Sequence, residues 1–250
     1  MSHSPLISIV MPTYNSSKTI GFSIESVVMQ KYKNWELLVV NDASNDETLL
    51  ILESYADKDP RIKIINQLKN QGVAKSRNIA LESRSGQYVA FLDSDDLWVE
   101  NKLSTQVESL TPDTVFSYMP YSFVDSHGLF LRNYMPPRST TYKSMLLGNP
   151  LGTLTVLLES NYLGNSMFPI RGHEDYALWL SLLRKGGVAK LIGNEESYAK
   201  YRVHGSSLTS SKLRAASWQW KIYREAEGFS AATSTALMIS YAFKAIRKRI

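Results

Sequence analysis

Tyr88-Val89-Ala90-Phe91-Leu92 runs straight into Asp93-Ser94-Asp95-Asp96-Leu97-Trp98. The apolar run does not alternate with polar residues, so it reads as a strand buried on both faces. Carboxylates are rarely buried unless paired or metal-bound. Asp93, Asp95 and Asp96 therefore belong at the open carboxyl end of that strand. Asp93 and Asp95 flank a single residue and can face one point in a turn. Two hard oxygen ligands suit Mg2+ or Mn2+, which hold substrate phosphates with one or two protein carboxylates. The plain alternative is an Asp-Ser-Asp turn that caps a helix starting at Asp96.

The elements ahead of this stretch place further polar residues beside it. Ile7-Ser8-Ile9-Val10-Met11 is a strand, and Pro12 is expected to stop it because proline cannot continue a central ladder. A helix follows with Ser16 or Ser17 as N-cap and Ile20, Ile24, Val27 and Val28 on one face. Glu36 to Val40 is a second strand ending in Asn41-Asp42. Ser44-Asn45-Asp46-Glu47 is then expected to form a capping box for the next helix. Ile62 to Ile65 is a third strand, and Gly72 opens a helix that runs to about Ser83.

Strands alternating with helices define an α/β fold with a parallel sheet. Right-handed crossovers put the strand ends on one edge, where such sheets bind ligands. Pro12, Thr13, Tyr14 and Asn15 follow the first strand, Asp42 the second, and Asp93 to Asp95 the fourth. An aromatic ring, a carboxylate and a metal pair suit the base, ribose and pyrophosphate of a nucleoside diphosphate. Neither G-x-G-x-x-G nor G-x-x-x-x-G-K-[ST] occurs, so no glycine-rich helix start holds the pyrophosphate. A metal on Asp95 can do so instead.

Composition narrows the class. A chain of 250 residues with 44% hydrophobic content buries a real core. Its net charge of +5 is modest and spread out except at Lys244 to Arg249, which argues against nucleic-acid binding. The absence of cysteine excludes a disulfide framework and a thiolate metal site and fits a reducing compartment. No signal-peptide pattern is visible at the start. No apolar run reaches the ~18 residues of a spanning helix.

Four segments now carry a resemblance: Ile9 to Asn15, Val39 to Asp46, Gly72 to Asn78 and Phe91 to Asp96. In this order, over about the first hundred residues, they resemble the family 2 glycosyltransferases. The resemblance implies the GT-A (nucleotide-diphospho-sugar transferase) fold, a mostly parallel, Rossmann-like sheet flanked by helices. It also implies a UDP-sugar donor, inversion at the anomeric carbon, and Mn2+ or Mg2+. By position, Pro12, Thr13, Tyr14 and Asn15 would line the base pocket and Asp42 would hydrogen-bond uracil. Arg77 would reach the nucleotide or its phosphate, Asp93 with Ser94 the ribose side, and Asp95 the metal, with Asp93 as a further candidate ligand. The plain alternatives are that Asp42 only opens a turn and that Arg77 pairs with Glu82 or stays solvated.

Beyond residue 98, Val115 to Tyr118 and Tyr121 to Val124 read as strands, and Asp125-Ser126-His127-Gly128 turns into Leu129-Phe130-Leu131 as a hairpin. Met135 to Thr141 is a polar, proline-punctuated loop, and Asn149 to Pro169 is expected to help shape the donor-sugar and acceptor pockets. Glu174-Asp175 opens a helix, where negative charge is favoured in any case. Inverting transfer is a single displacement that needs one base for the acceptor hydroxyl. The Glu-Asp pair is similar to the family's catalytic position, and Asp175 is preferred to Glu174. His204, at the end of the strand containing Tyr201 and Arg202, resembles a family histidine near the metal, and Arg202 or Lys200 is a candidate partner for the leaving UDP.

The sequence is therefore expected to comprise a GT-A domain at 1–210, split into a nucleotide-binding half at 1–98 and a donor-sugar and acceptor half at 99–210. A helical tail at 211–250 follows, read as lying on an anionic membrane surface rather than packed on the core. The resemblance implies a saccharide acceptor on a polyprenyl-diphosphate carrier, as in O-antigen or capsule assembly, with the protein cytoplasmic or peripheral on the inner face of the membrane. The competing readings are a nucleotidyltransferase of related fold and a sugar-nucleotide-binding module without turnover.

Overall fold

The computed structural model describes residues 4–111, 113–170, 172–194, 197–203 and 212–247, with the side chains of 212–213 and 242–247 excepted. Twelve strands are present among them: β1 (Ile7–Thr13), β2 (Trp35–Asn41), β3 (Ile62–Asn66), β4 (Tyr88–Phe91), β5 (Leu97–Trp98), β6 (Phe116–Tyr118), β7 (Tyr121–Val124), β8 (Phe130–Tyr134), β9 (Ser139–Thr140), β10 (Leu157–Glu159), β11 (Ala189–Leu191) and β12 (Ala199–Arg202). The helices are α1 (Ile20–Val28), α2 (Thr48–Ala56), α3 (Val73–Glu82), α4 (Lys102–Glu108), α5 (Tyr142–Met145), α6 (Ser160–Leu163), α7 (Glu174–Arg184), α8 (Lys212–Lys221) and α9 (Ala231–Arg247).

The main sheet has the order β3-β2-β1-β4-β10-β6-β11-β9. β3, β2, β1 and β4 are parallel, β10 runs against both β4 and β6, and β11 is parallel to β6. The fold is the α/β sandwich expected, with a mixed rather than purely parallel far half. Alternate residues of the central strands feed two cores. Val10, Leu38, Val40, Val89 and Phe91 face α3 and α7, while Ile9, Met11, Leu37, Val39, Ala90 and Leu92 face α1 and α2. Both faces are covered, which is why these strands carry no polar alternation. A second sheet, β5-β12-β7-β8, stands beside the first. The adjacent strands β6 and β7 thus diverge into different sheets.

Several local expectations are corrected. Pro12 does not end β1: it stays in register opposite Val40 of β2. In a parallel ladder alternate residues bond to alternate neighbours. Thr13 O is turned toward β2, where it accepts from Asp42 N–H, so the missing N–H of Pro12 falls on the β4 side. Pairing there has already stopped at Val10. The N-cap of α1 is Thr19, not Ser16 or Ser17, although Ser16 O accepts from the N–H groups of Thr19 and Ile20. No capping box forms at Ser44 to Glu47. Those side chains tie two loops together instead, with Asn15 N–H donating to Ser44 Oγ and Ser17 N–H to Asp46 Oδ2. After Asp96 comes β5, not a helix.

The tail is two helices as expected, joined by a π-helical turn at Ile222–Ala226. It is not a simple appendage: Ile222 is buried in the α3–α7 core, Tyr223 is buried with its hydroxyl donating to Leu146 O, and Glu227 pairs with Arg184 and Tyr142. In α9, Ile239 is exposed and Leu237, Met238 and Tyr241 are half-buried, whereas Phe243 and Ile246 lie outside the described side chains. Among the described residues no helix is long and apolar enough to cross a membrane.

Lys102 is fully buried and its Nζ has no hydrogen-bond partner among the described residues, only the Trp98 ring centroid 4.0 Å away. Burial pushes its ammonium well below the usual lysine value of 10.5. Lys102→Met is expected to stabilise the fold by about 1–3 kcal/mol, because it removes an unsatisfied buried donor and keeps the contact with Trp98. A group with a depressed lysine pKa costs most below its folded pKa, and that cost fades as pH rises toward 10.5. In paired urea melts the gap between variant and wild type should narrow from pH 7 to pH 10. A less stable variant would refute this account of Lys102.

Candidate active site

The carboxyl ends of β1, β2 and β4 form one edge, and the start of α7 closes it. Three non-glycine residues in the left-handed region occur among the described residues: Asn15, Ala43 and His173, at φ 48°, 58° and 56°. Each adjoins an expected site residue, and such conformations persist where the surroundings hold them.

The end of β1 carries a buried orphan. Thr13 is 3% exposed and its Oγ1 has no partner among the described residues. An unsatisfied buried hydroxyl at the sheet edge fits a ligand contact. Tyr14 beside it is half exposed and offers an open ring face. Asp42 is buried, with Oδ1 accepting from Gln71 N–H at 2.9 Å and Oδ2 from Gly72 N–H at 2.7 Å. It therefore fixes the approach to α3. A carboxylate accepts about four hydrogen bonds, so these two leave capacity for an imide N–H. Ser94 is buried and shares a 2.8 Å hydrogen bond with Ser16, tying the end of β4 to the loop after β1.

Arg77 joins the two halves of the site. Its guanidinium is buried, with Nη2 donating to both oxygens of Asp93 at 2.7 and 3.0 Å and Nη1 to Glu174 at 2.9 Å. Burial alone would lower its pKa, and the charges of Asp93 and Glu174 more than offset that and raise it. The expected pairing with Glu82, or a solvated arginine, is thus replaced by a bridge to a residue 97 positions away. Any contact of Arg77 with a nucleotide has to be made by a guanidinium that already holds two carboxylates.

That bridge separates the roles of the Glu-Asp pair. Burial raises the Glu174 carboxyl, Arg77 opposes the rise, and Asp175 adds to it. Asp175 is held differently. Its Oδ1 accepts from Tyr176 N–H at 2.7 Å, and its Oδ2 accepts from Thr153 Oγ1 at 3.0 Å and Asn149 Nδ2 at 3.4 Å. Among the described residues no salt bridge reaches it. The approach to α7 is buttressed by the tail: the Trp218 ring packs edge-on against His173, 5.5 Å between centroids, and a Cβ at Gly172 would lie 1.9 Å from that indole.

Asp93, Asp95 and Asp96 crowd three carboxylates into one turn. Asp96 is buried and accepts from Arg202 N–H at 2.8 Å, and burial followed by the charges of Asp95 and Asp93 raises its pKa well above the carboxylate range. Arg202 is 8% exposed and its guanidinium donates to the carbonyls of Asp95, Asp125 and Ser126. It braces this turn against the β7–β8 hairpin and is not available for a leaving group as expected. Lys200 lies instead in a shallow hollow with Phe22 of α1 and Met29 just after it.

The donor set fits a hard divalent cation that uses one or two protein oxygens and takes the rest from water and phosphate. Asp95 is the half-buried carboxylate suited to it, since both oxygens of Asp93 face Arg77. No group of three or more potential ligands that could hold a metal occurs among the described residues. His204 lies outside the described residues.

Tyr201 is a site residue that sequence reasoning passed over. Burial and then the charges of Asp96, Asp93, Asp95 and Asp175 all raise its phenol. Its ring packs against Phe123, 5.5 Å between centroids. The signal available was its place directly after the exposed Lys200 strand position and just before Arg202, which alone does not distinguish it.

Fold and site together define a nucleotide-sugar transferase of the GT-A class. The family model "Glycosyl transferase family 2" matches residues 8–157, and the chain belongs to that family. It is 39% identical over 249 residues to "Putative teichuronic acid biosynthesis glycosyltransferase TuaG" of Bacillus subtilis (strain 168), covering 98% of each chain. It is 38% identical over 218 residues to "UDP-Glc:alpha-D-GlcNAc-diphosphoundecaprenol beta-1,3-glucosyltransferase WfgD" of Escherichia coli, covering 87% of this chain and 85% of that one. In fold it is similar to the mannosyltransferase PcManGT of Pyrobaculum calidifontis, solved with GDP-Man and Mn2+. The TM-score is 0.70 at 16% identity, covering 97% of this chain and 70% of that one.

Proposed function

We propose that the chain transfers a hexose from a UDP-sugar to a hydroxyl of a lipid-linked saccharide by one inverting displacement. The observation that carries this is the Asp93–Arg77–Glu174 bridge, which sets the carboxylates after β4 against Asp175 at the start of α7. The acceptor oxygen attacks the anomeric carbon, the bond from that carbon to the diphosphate oxygen breaks, and the hydroxyl proton passes to Asp175. Glu174 is a positioning residue in this scheme, because Arg77 occupies it.

Pro12, Thr13, Tyr14, Asn15 and Asp42 form the base pocket, with the orphan hydroxyl of Thr13 as its buried polar contact. Asp93 and Ser94 border the ribose, and Arg77 holds Asp93 toward it. Asp95 would hold Mn2+ or Mg2+, with His204 and Asp93 as further candidate ligands, and the cation would neutralise the diphosphate as it leaves. Residues 1–98 form the nucleotide-binding half, 99–210 the donor-sugar and acceptor half, and 211–250 the tail. The activity named for the Escherichia coli relative supports UDP-glucose as the donor and a diphosphoundecaprenol-linked acceptor. It also supports a cytoplasmic site, peripheral on the membrane face where such a carrier is presented.

Thermal melts with UDP and Mn2+ test the donor half. Wild type should be stabilised by UDP only when Mn2+ is present, and Asp95→Ala should lose that shift, because the diphosphate loses its counter-ion. An undiminished shift in Asp95→Ala would remove Asp95 from the metal site.

A further inference from the structure

We propose that Thr153 is a positioning residue for Asp175, with Asn149 as its support; this rests on Asp175 being the base. An aspartate in the first turn of a helix turns freely about its side-chain bonds. Tyr176 N–H fixes only Oδ1. Thr153, in the turn before β10, donates to Oδ2 at 3.0 Å and fixes the plane of the carboxylate. Asn149 adds a longer contact at 3.4 Å, and its amide is oriented by Leu151 N–H, which donates to Oδ1 at 3.0 Å.

The segment that presents Thr153 is rigid. Gly152 O accepts both Thr155 N–H at 2.8 Å and Thr155 Oγ1 at 2.7 Å. Leu154 O accepts from the Trp98 indole at 2.7 Å. A Cβ at Gly152 would come within 2.8 Å of the Tyr121 ring, so the turn sits hard against the second sheet. Thr153 therefore cannot follow Asp175 if that side chain swings; it sets where the carboxylate points. Glu174 is held instead by the Arg77 guanidinium at 2.9 Å. Placing a base to within a fraction of an ångström governs the chemical step rather than donor binding.

The test compares Thr153→Val, Thr153→Ser and Asp175→Asn with wild type, using UDP-glucose, Mn2+ and a GlcNAc-diphospholipid acceptor. Valine keeps the shape and removes the hydroxyl. The expected result is a fall in kcat of about 10- to 100-fold for Thr153→Val, the size of losing a hydrogen bond to an ionised group, with KM for UDP-glucose within about twofold of wild type. Thr153→Ser should recover most of the rate. Near-normal kcat in Thr153→Val, or a serine variant as slow as the valine one, overturns the inference while an inactive Asp175→Asn keeps the base assignment. Near-normal turnover in Asp175→Asn overturns both.

Discussion

Asp175→Asn should lower the transfer rate by ~10²–10⁴, the range of positioned base catalysis, while leaving UDP-sugar affinity close to wild type. The amide keeps the size of the side chain, and its oxygen can still accept from Tyr176 N–H or from Thr153. Folding should therefore survive. What is lost is the proton acceptor for the attacking hydroxyl. Glu174→Gln should cost less in chemistry and more in stability, since it weakens the bond from Arg77 Nη1. The measurements are initial transfer rates and UDP-sugar affinities for both variants. An unchanged rate in Asp175→Asn with a dead Glu174→Gln would move the base to Glu174. Donor binding with no turnover in wild type would favour a binding module instead.

Arg77→Met should destabilise the fold by about 3 kcal/mol, the lower part of the range for removing one partner of a buried ion pair. The arginine side chain is 5% exposed, but Asp93 is 33% and Glu174 18% exposed, so water compensates part of the loss. For a chain of this length that is a fall in Tm of roughly 6–12 °C. Adding Glu174→Gln to Arg77→Met should recover some of the loss, because it removes the more buried of the two orphaned charges. A Tm within about 1 °C of wild type would mean that the bridge does not hold the site together.

The alternation of strands and helices was legible because each buried parallel strand reads as an unbroken apolar run, as in Val89 to Leu92. The residues at the strand ends were legible for the same reason: Asp42, Asp93 and Asp95 interrupt such runs where a buried carboxylate needs a partner. What could not be read is the partner. Arg77 finds Glu174 across 97 positions, a pairing set by the docking of α7 on α3 and not by local spacing. The divergence of β6 and β7 into separate sheets hides behind two similar apolar segments. Pro12 misled because its cost depends on which neighbour the missing N–H faces. Ser44 to Glu47 has the spacing of a capping box, but tertiary bonds to Asn15 and Ser17 took those side chains. The tail's burial through Ile222 follows from its docking beside α7, which its own periodicity does not encode.

The anomeric configuration of the product tests the central claim most directly. Purified protein with UDP-glucose, Mn2+ and a GlcNAc-diphospholipid acceptor should give a β-linked disaccharide, read by the anomeric proton coupling in NMR. A single displacement on an α-linked donor permits no other outcome. An α-linked product would contradict the one-base inverting account.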